Sequence, residues 1–492
     1  MKPRNALLPL ASILFAGCLE HPITQVELCK IGTPELPIKL EENGDVDILF
    51  VIDNSGSMAE EQSRLARNFE AFADRLDTMG AHYRIGFTTT DSGNPRCSGT
   101  TPEGGDLVLR SCLDRLGEGA FQFNDINAAY ACTDVCGLTG DQLAVRPSTA
   151  SGASDGQEAE PRPWIEKIDG VSNLPGGVSM ADAFACFGPQ GIDGCGFEQP
   201  LESMYRALQK ALEPSEGNHG FMRDNALLSV IFVTDETDCS YDPGHSDIFT
   251  SDKTFWESPD DPAPTSALCW NAGVACQGPG PVYDGCEPED YAADGTPGAA
   301  DGAAVLRPVA RYTDFLAKLQ GEKQAQGRDV LLSLIAGVPT GYEKGGVEIP
   351  YQEAADGTDQ QRDFGIAPGC VAQDGSGSTA IPPVRERVVA EAFAGSETNL
   401  YSICQDDYTP ALEGIARQIQ RKLVPVCGTS MVADSDPATD TLEPDCKIQQ
   451  TVAGETTDVV ACEPVGEADW AVPAGHAVCA IVLTDADGST KT

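Results

Sequence analysis

The chain has little positive charge and few histidines. It carries 32 Lys and Arg residues against 76 Asp and Glu residues, which gives a formal net charge of −44. Such a charge repels polyanions, so nucleic acids and anionic membrane surfaces are not expected as partners. The 5 histidines are scattered along 492 residues and form no metal-binding cluster. The negative charge suits a protein that attracts cations, although it also serves solubility alone.

Long apolar runs and motifs for catalysis are also missing. No stretch beyond the N-terminal region reaches the ~18 apolar residues of a transmembrane helix. The sequence has no strand-borne nucleophile elbow, no H-E-x-x-H and no phosphate-binding loop. We therefore expect a protein that is not an enzyme. The alternative is a metal-dependent hydrolase, but no general base stands out among so many carboxylates.

The N-terminus has the pattern of an export signal. Lys2 and Arg4 precede an apolar stretch, Ala6–Gly17, which is followed by Cys18. This pattern resembles a bacterial lipoprotein signal, in which the cysteine is lipidated and becomes the new N-terminus. We expect residues 1–18 to be this signal and Leu19 to favour the outer membrane. The alternative is an ordinary signal peptide followed by a fortuitous cysteine.

The 18 cysteines agree with export, because an oxidising compartment favours disulfides. Cys132 and Cys136 alone could suggest zinc, but no second pair at zinc spacing accompanies them. Lipidation of Cys18 would leave 17 cysteines, so one thiol is free or pairs between chains. We predict that Cys29 pairs with Cys427, since they flank the α/β region and domain termini often lie close together.

Two apolar, β-branched runs each end at an aspartate. The first ends at Asp53 and is followed by Ser55 and Ser57, and the second ends at Asp235. Runs of this kind predict buried parallel strands, and ligand sites in open α/β sheets lie beyond the carboxyl ends of such strands. Carboxylate and hydroxyl oxygens suit Mg²⁺, Ca²⁺ or Mn²⁺. The alternative is a strand followed by a polar turn.

The D-x-S-x-S group and the later strand-end aspartate resemble the von Willebrand factor A (VWA) family and its metal-ion-dependent adhesion site. The resemblance implies a threonine ligand on a third loop. Glu198 stands at that position, with Ser179 as the second candidate, and Glu236 replaces the glycine that usually follows the later aspartate. The metal ligands implied in this sequence are Asp53, Ser55, Ser57, Glu198 and Asp235.

The resemblance implies metal-dependent protein binding or adhesion, in which a partner's carboxylate enters the open metal position. Glu198 would add a third carboxylate, so we expect tighter cation binding and weaker capture of acidic partners. The alternative is that Glu198 points to solvent or caps its own helix. Asp91 and Asp238 are outer-shell candidates, unless they are solvated loop carboxylates. A second possible function is an envelope scaffold whose metal only stabilises loops.

Strand and helix patterns alternate along the chain, which predicts an α/β fold with a doubly wound, mostly parallel sheet. We expect a tether at 19–45, a VWA-like domain at 46–427 and a small cysteine-containing β module at 428–492. Two cysteine-rich insertions are expected near 92–162 and 239–304. The predicted strands are Val46–Ile52, Tyr83–Thr88, Trp164–Ile168, Leu227–Thr234, Val330–Ala336 and Leu400–Cys404. The predicted helices are Glu60–Met79, a helix with Pro200 in its first turn, Leu306–Gln320, Val384–Ala394 and Tyr408–Leu423.

Overall fold

A computed structural model describes most of the chain. The described residues are 44–148, 159–373, 375, 377–394, 398–423, 449–452, 455–464, 470–476 and 479–480. The predictions for the signal, Cys18 and the Cys29–Cys427 disulfide lie outside them, as does the predicted tether up to residue 43. The tether ends earlier than its predicted limit of 45, because Asp45 is the first residue of a strand. The α/β region belongs to one compact unit, Glu41–Thr429, and the described residues from 449 onward belong to a second.

The described residues form strands and α-helices that are numbered here in chain order. The strands are β1 (Asp45–Ile52), β2 (His82–Thr89), β3 (Gln122–Phe123), β4 (Ile126–Asn127), β5 (Trp164–Ile168), β6 (Val171–Ser172), β7 (Leu227–Val233), β8 (Val274–Gln277), β9 (Gly285–Pro288), β10 (Val330–Ala336), β11 (Cys370–Val371), β12 (Thr379–Ala380), β13 (Leu400–Ser402), β14 (Gln449–Val452), β15 (Glu455–Asp458), β16 (Val460–Ala461), β17 (Glu463–Pro464), β18 (Trp470–Ala471) and β19 (Cys479–Ala480). The helices are α1 (Ala59–Thr78), α2 (Cys112–Glu118), α3 (Tyr130–Thr133), α4 (Gly140–Leu143), α5 (Met180–Phe187), α6 (Pro200–Leu212), α7 (Ala267–Gly273), α8 (Val309–Gln324), α9 (Asp359–Phe364), α10 (Val384–Glu391) and α11 (Thr409–Leu423). Two 3₁₀ helices span Pro243–Phe249 and Tyr342–Lys344.

Seven strands form the central sheet, in the order β13-β10-β7-β1-β2-β5-β6. The first five strands in this order are parallel, whereas β5 and β6 add an antiparallel edge. This arrangement confirms the predicted mostly parallel α/β sheet. Because β1 and β7 are direct neighbours, their carboxyl ends lie side by side at one edge.

Helices cover both faces of the sheet. Phe50 and Ile52 of β1 pack among α1, α5 and α11. Leu49 and Val51 of the same strand pack on the opposite face, among α6, α8 and α10. A strand buried on both faces has no polar side, and for this reason β1 is almost continuously apolar in sequence.

The predicted element boundaries hold within a few residues in most cases. Trp164–Ile168 and Val330–Ala336 are strands with the predicted bounds, and Pro200 lies in the first turn of its helix. The helix predicted from Leu306 begins instead at Val309, directly after a proline that serves as its N-cap. A helix can begin at a proline but not continue through it, because proline lacks the backbone N–H.

Seven disulfides connect described cysteines, as the export signal led us to expect. Cys132 pairs with Cys112 and Cys136 pairs with Cys186, so these two cysteines do not form a zinc site. The other pairs are Cys97–Cys195, Cys239–Cys269, Cys276–Cys286, Cys370–Cys404 and Cys462–Cys479. Among the described helices, none combines the length and apolarity that crossing a bilayer requires.

Candidate metal centre

Asp53 lies at the carboxyl end of β1 and is fully buried. Its backbone N–H donates to the carbonyl of Val233 over 2.9 Å, which continues the β1–β7 pairing to the end of both strands. The backbone N–H of Ser55 donates to Asp53 Oδ1 at 2.8 Å, and the Thr234 hydroxyl donates to Asp53 Oδ2 at 2.6 Å. Each carboxylate oxygen has two lone pairs, so both oxygens can accept a further contact.

Asp235 follows the end of β7 and is 8% exposed. Its Oδ1 is buried and has no hydrogen-bond partner in the described residues. The Ser57 side chain lies near the Asp235 carboxylate, and its hydroxyl lies 3.1 Å from the Ser55 hydroxyl. Ser55 is buried, whereas Ser57 is exposed. The two hydroxyls therefore lie beside the strand-end aspartates, and the group reaches solvent at Ser57.

Glu198 is fully buried directly before α6. Its Oε2 accepts a hydrogen bond from the Thr90 hydroxyl, and its Oε1 has no partner in the described residues. The Glu198 carbonyl accepts from the Cys239 N–H at 2.6 Å. Glu198 is thus held between the segments that follow β2 and β7. It neither points to solvent nor caps its own helix, which rules out both of those alternatives.

The acidic groups at this edge raise one another's pKa. Burial raises the pKa of Asp53, and it raises those of Asp235 and Glu198 well above their ordinary values, with the Asp53 charge as the next cause. Burial and Asp53 also raise the pKa of Glu236 to about 8, although the Ser266 hydroxyl donates to it at 3.0 Å. In the described part of the chain, no Lys, Arg or His side chain forms an ion pair with any of these four carboxylates. Uncompensated buried carboxylates of this kind favour either protonation or a bound cation.

The residues at this edge fit a hard cation with few carboxylate ligands. In the described part of the chain, no three His, Cys, Asp or Glu side chains are arranged so that they could hold one metal ion. A cation here would bind hydroxyl and water oxygens as well as carboxylates. Asp53, Asp235 and the hydroxyls of Ser55 and Ser57 provide such a set, whereas Glu198 as a direct ligand stays a prediction.

The other candidates have structural contacts instead. Asp91 accepts from the N–H groups of Gly93 and Cys195, at 2.9 and 3.2 Å. Asp238 pairs with Arg385 at 3.0 Å, and both are fully buried. The expectation that Asp91 and Asp238 are solvated was therefore wrong, because each anchors local backbone or an ion pair inside the fold. Ser179 is exposed and caps α5 by accepting from the Asp182 N–H at 3.0 Å.

Gln62 supports the site but was not singled out from the sequence. Its amide N–H donates to the carbonyls of Asp53 and Gly191, at 2.7 and 2.8 Å. Its amide oxygen accepts from the N–H of Gln190 at 2.8 Å. One side chain therefore fixes the end of β1 against a loop far away in sequence. The signal was available, because Gln62 lies three residues before Leu65 and seven before Phe69, on the face of α1 that carries these apolar side chains.

Thr90 and Thr234 were missed in the same way. Each directly follows a strand of the central sheet, and each donates its hydroxyl to a site carboxylate. A threonine after an apolar run is common in strands, so its hydroxyl carries no signal until the partner's position is known.

Comparisons with protein-family models and with curated proteins find no match to this chain. The resemblance to the VWA family therefore depends on the residues of the site and on their order along the chain.

Proposed function

We propose that this chain is a VWA-like domain that binds a divalent cation, Mg²⁺ or Ca²⁺ with Mn²⁺ as a further possibility, and binds a partner protein through it. One observation carries the proposal. Asp53 and Asp235 lie at the ends of neighbouring parallel strands, and the hydroxyls of Ser55 and Ser57 lie beside them. This is a set of hard oxygen donors that opens to solvent on one side.

Each residue has a distinct part in the proposed site. Asp53 and Asp235 balance the charge of a divalent cation, while Ser55 and Ser57 add neutral oxygen donors. The Thr234 hydroxyl and the Ser55 N–H orient the Asp53 carboxylate before any cation arrives. Such preorganisation reduces the cost of ordering the ligands on binding. The cation would supply an electrophilic point at the exposed Ser57 edge.

We further propose that the protein acts in the bacterial cell envelope and is not an enzyme. In this proposal Cys18 carries a lipid that anchors the protein at the outer membrane, and the partner is a protein rather than a nucleic acid. The seven disulfides support the exported location, because they persist in oxidising compartments. The excess of 76 acidic over 32 basic residues supports the exclusion of nucleic acid.

The test is isothermal titration of Mg²⁺, Ca²⁺ and Mn²⁺ into the wild-type protein, Asp53→Ala and Asp235→Asn. We expect each variant to lose about tenfold or more in affinity for the preferred ion. Asp359→Asn is the matched control, because the Asp359 side chain is 85% exposed in α9. Unchanged cation affinity in both site variants would refute the metal assignment. Melting curves with a chelator check that every variant is folded.

A further inference from the structure

An apolar hairpin is exposed close to the candidate metal centre. Strands β3 and β4 pair directly, and Phe123 lies opposite Ile126. Residues opposite each other in an antiparallel pair project from the same face. Phe123 is 40% exposed and Ile126 is 51% exposed, and Tyr130, which follows shortly after, is 38% exposed. Three of the nine large apolar side chains that are exposed in the described residues thus lie within one short segment.

This hairpin touches the D-x-S-x-S loop itself. A Cβ atom at Gly56 would overlap the ring of Phe123, so the ring lies flat against the backbone between Ser55 and Ser57. Tyr130 lies close to the start of α1, where Glu60 contributes to its electrostatic environment. The exposed apolar side chains and the exposed edge of the metal centre therefore form one continuous surface.

The hairpin is held firmly in place. The Ala128 N–H donates to the Phe121 carbonyl at 2.9 Å, and the Ile192 N–H donates to the Ala120 carbonyl at 2.6 Å. The Cys112–Cys132 disulfide joins the helices on either side of the hairpin. Its exposed apolar face therefore needs little further ordering when a partner binds, which favours affinity.

The charges around this surface are mostly acidic. Asp125 and Asp134 are exposed beside the apolar side chains. Glu60 is 43% exposed at the start of α1 and pairs with Arg64 at 3.0 Å, and Arg67 is a second basic neighbour. Behind the loop lie four further carboxyl groups, those of Asp53, Glu198, Asp235 and Glu236. A partner with acidic side chains would meet repulsion here, and a partner with basic side chains would be attracted.

We propose that the hairpin and the D-x-S-x-S loop together form the docking surface for a protein segment that places an apolar side chain beside Lys or Arg. The apolar side chain packs on Phe123 and Ile126, and the basic side chain lies against the acidic rim. This inference rests on the proposed function, because the same loop holds the cation. It differs from what the VWA resemblance implies, which is a partner that donates a carboxylate to the metal.

The experiment uses three short glycine-spaced peptides and the whole exported chain loaded with its preferred cation. The first peptide alternates Lys and Leu, the second replaces Lys by Glu, and the third replaces Leu by Ser. We expect the Lys/Leu peptide to bind on the order of tenfold more tightly than either of the others, and added salt to weaken it. Phe123→Ser should reduce its affinity about tenfold or more, because an apolar contact is lost. Val171→Ser is the matched control, since Val171 is 68% exposed on β6, and it should leave peptide affinity unchanged.

The outcomes separate this inference from the proposed function. If the wild-type protein binds the cation but binds the Glu/Leu peptide as tightly as the Lys/Leu peptide, the inference fails and the cation site stands. Equal losses in Phe123→Ser and Val171→Ser would also overturn the inference. If the Lys/Leu peptide binds in a Phe123-dependent way while no cation binds, the docking surface stands and the metal proposal fails. Sedimentation completes the test by measuring whether the wild-type protein forms a dimer. If it does, and if Phe123→Ser dissociates that dimer, the surface binds a second copy of the chain and the proposal is overturned.

Discussion

Replacing Glu386 with Gln should make the protein more stable in alkaline solution and leave it nearly unchanged in acid. Glu386 lies in α10, is fully buried, and neither of its carboxylate oxygens has a hydrogen-bond partner in the described residues. Burial and the neighbouring charge of Asp238 raise its pKa to about 8, while Arg385 acts in the opposite direction. The carboxyl group is therefore held in its neutral form inside the fold.

Whether Glu386 raises or lowers stability at a given pH depends on whether the folded or the unfolded chain binds its proton more tightly. The unfolded chain releases the Glu386 proton near the ordinary pKa of 4.5, whereas the folded chain keeps it up to about pH 8. The folded state thus loses stability as the pH rises from 4.5 to 8 and loses no more above that range. The difference between the two pKa values sets an upper bound of ~5 kcal/mol at pH 9. Water penetration and local relaxation reduce such penalties, so we expect Gln to stabilise by roughly 2–3 kcal/mol.

The assay is urea unfolding of the wild-type protein and Glu386→Gln at pH 5 and pH 9, with the disulfides intact. Comparing the two proteins at each pH cancels the titration of all other groups. Glu202→Gln is the control, because the buried Glu202 carboxylate pairs with Arg206 and Arg311 at 3.0 and 3.3 Å. That variant should be less stable at both pH values, since it loses charge-assisted hydrogen bonds. If the stability difference between Glu386→Gln and wild type is the same at pH 5 and pH 9, the reasoning is wrong.

Two further predictions concern the metal centre. Removing the Cys97–Cys195 disulfide by a double Ala substitution should lower the free energy of unfolding by about 2–5 kcal/mol, because the bond spans 98 residues. Cation affinity, measured by titration, should also fall, whereas the matched Cys462/Cys479 double variant in the second unit should keep it. Glu198→Thr should weaken cation binding, strengthen the capture of the Glu/Leu peptide and raise the melting temperature in chelator, because a buried carboxylate is removed. If titration shows that Glu198→Thr changes neither the affinity for the cation nor the affinity for the Glu/Leu peptide, Glu198 does not act on the cation.

The central sheet could be predicted from the sequence because its strands are buried on both faces. Runs such as Val330–Ala336 are apolar at every position except Ser333, so their limits are visible without any knowledge of their neighbours. The same runs place Asp53 and Asp235 at strand ends. The adjacency of β1 and β7 is seen only in the strand pairing, because neither run by itself indicates its neighbour.

The short elements in and beside the insertions could not be predicted in this way. Helix α5 is short and lies in a segment rich in Gly, Asp and Cys, yet its Phe184 packs against Phe50 with ring centroids 5.1 Å apart. Its stability comes from long-range packing and from the Cys136–Cys186 disulfide rather than from local propensity. The hairpin at Phe123 was missed for a similar reason. Its strands are two residues each, and its contact with Gly56 depends on tertiary structure.

The disulfides around the first insertion have a consequence for a protein exposed to proteases. Cys97–Cys195 and Cys136–Cys186 both bridge the stretch between residues 137 and 185. A single cut anywhere in that stretch would leave the fragment with Asp53 covalently joined to the fragment with Asp235. The cleaved protein would keep its mass in a non-reducing gel and separate into two pieces only after reduction. The two halves of the metal centre would therefore stay in one molecule after the backbone between them had been cut.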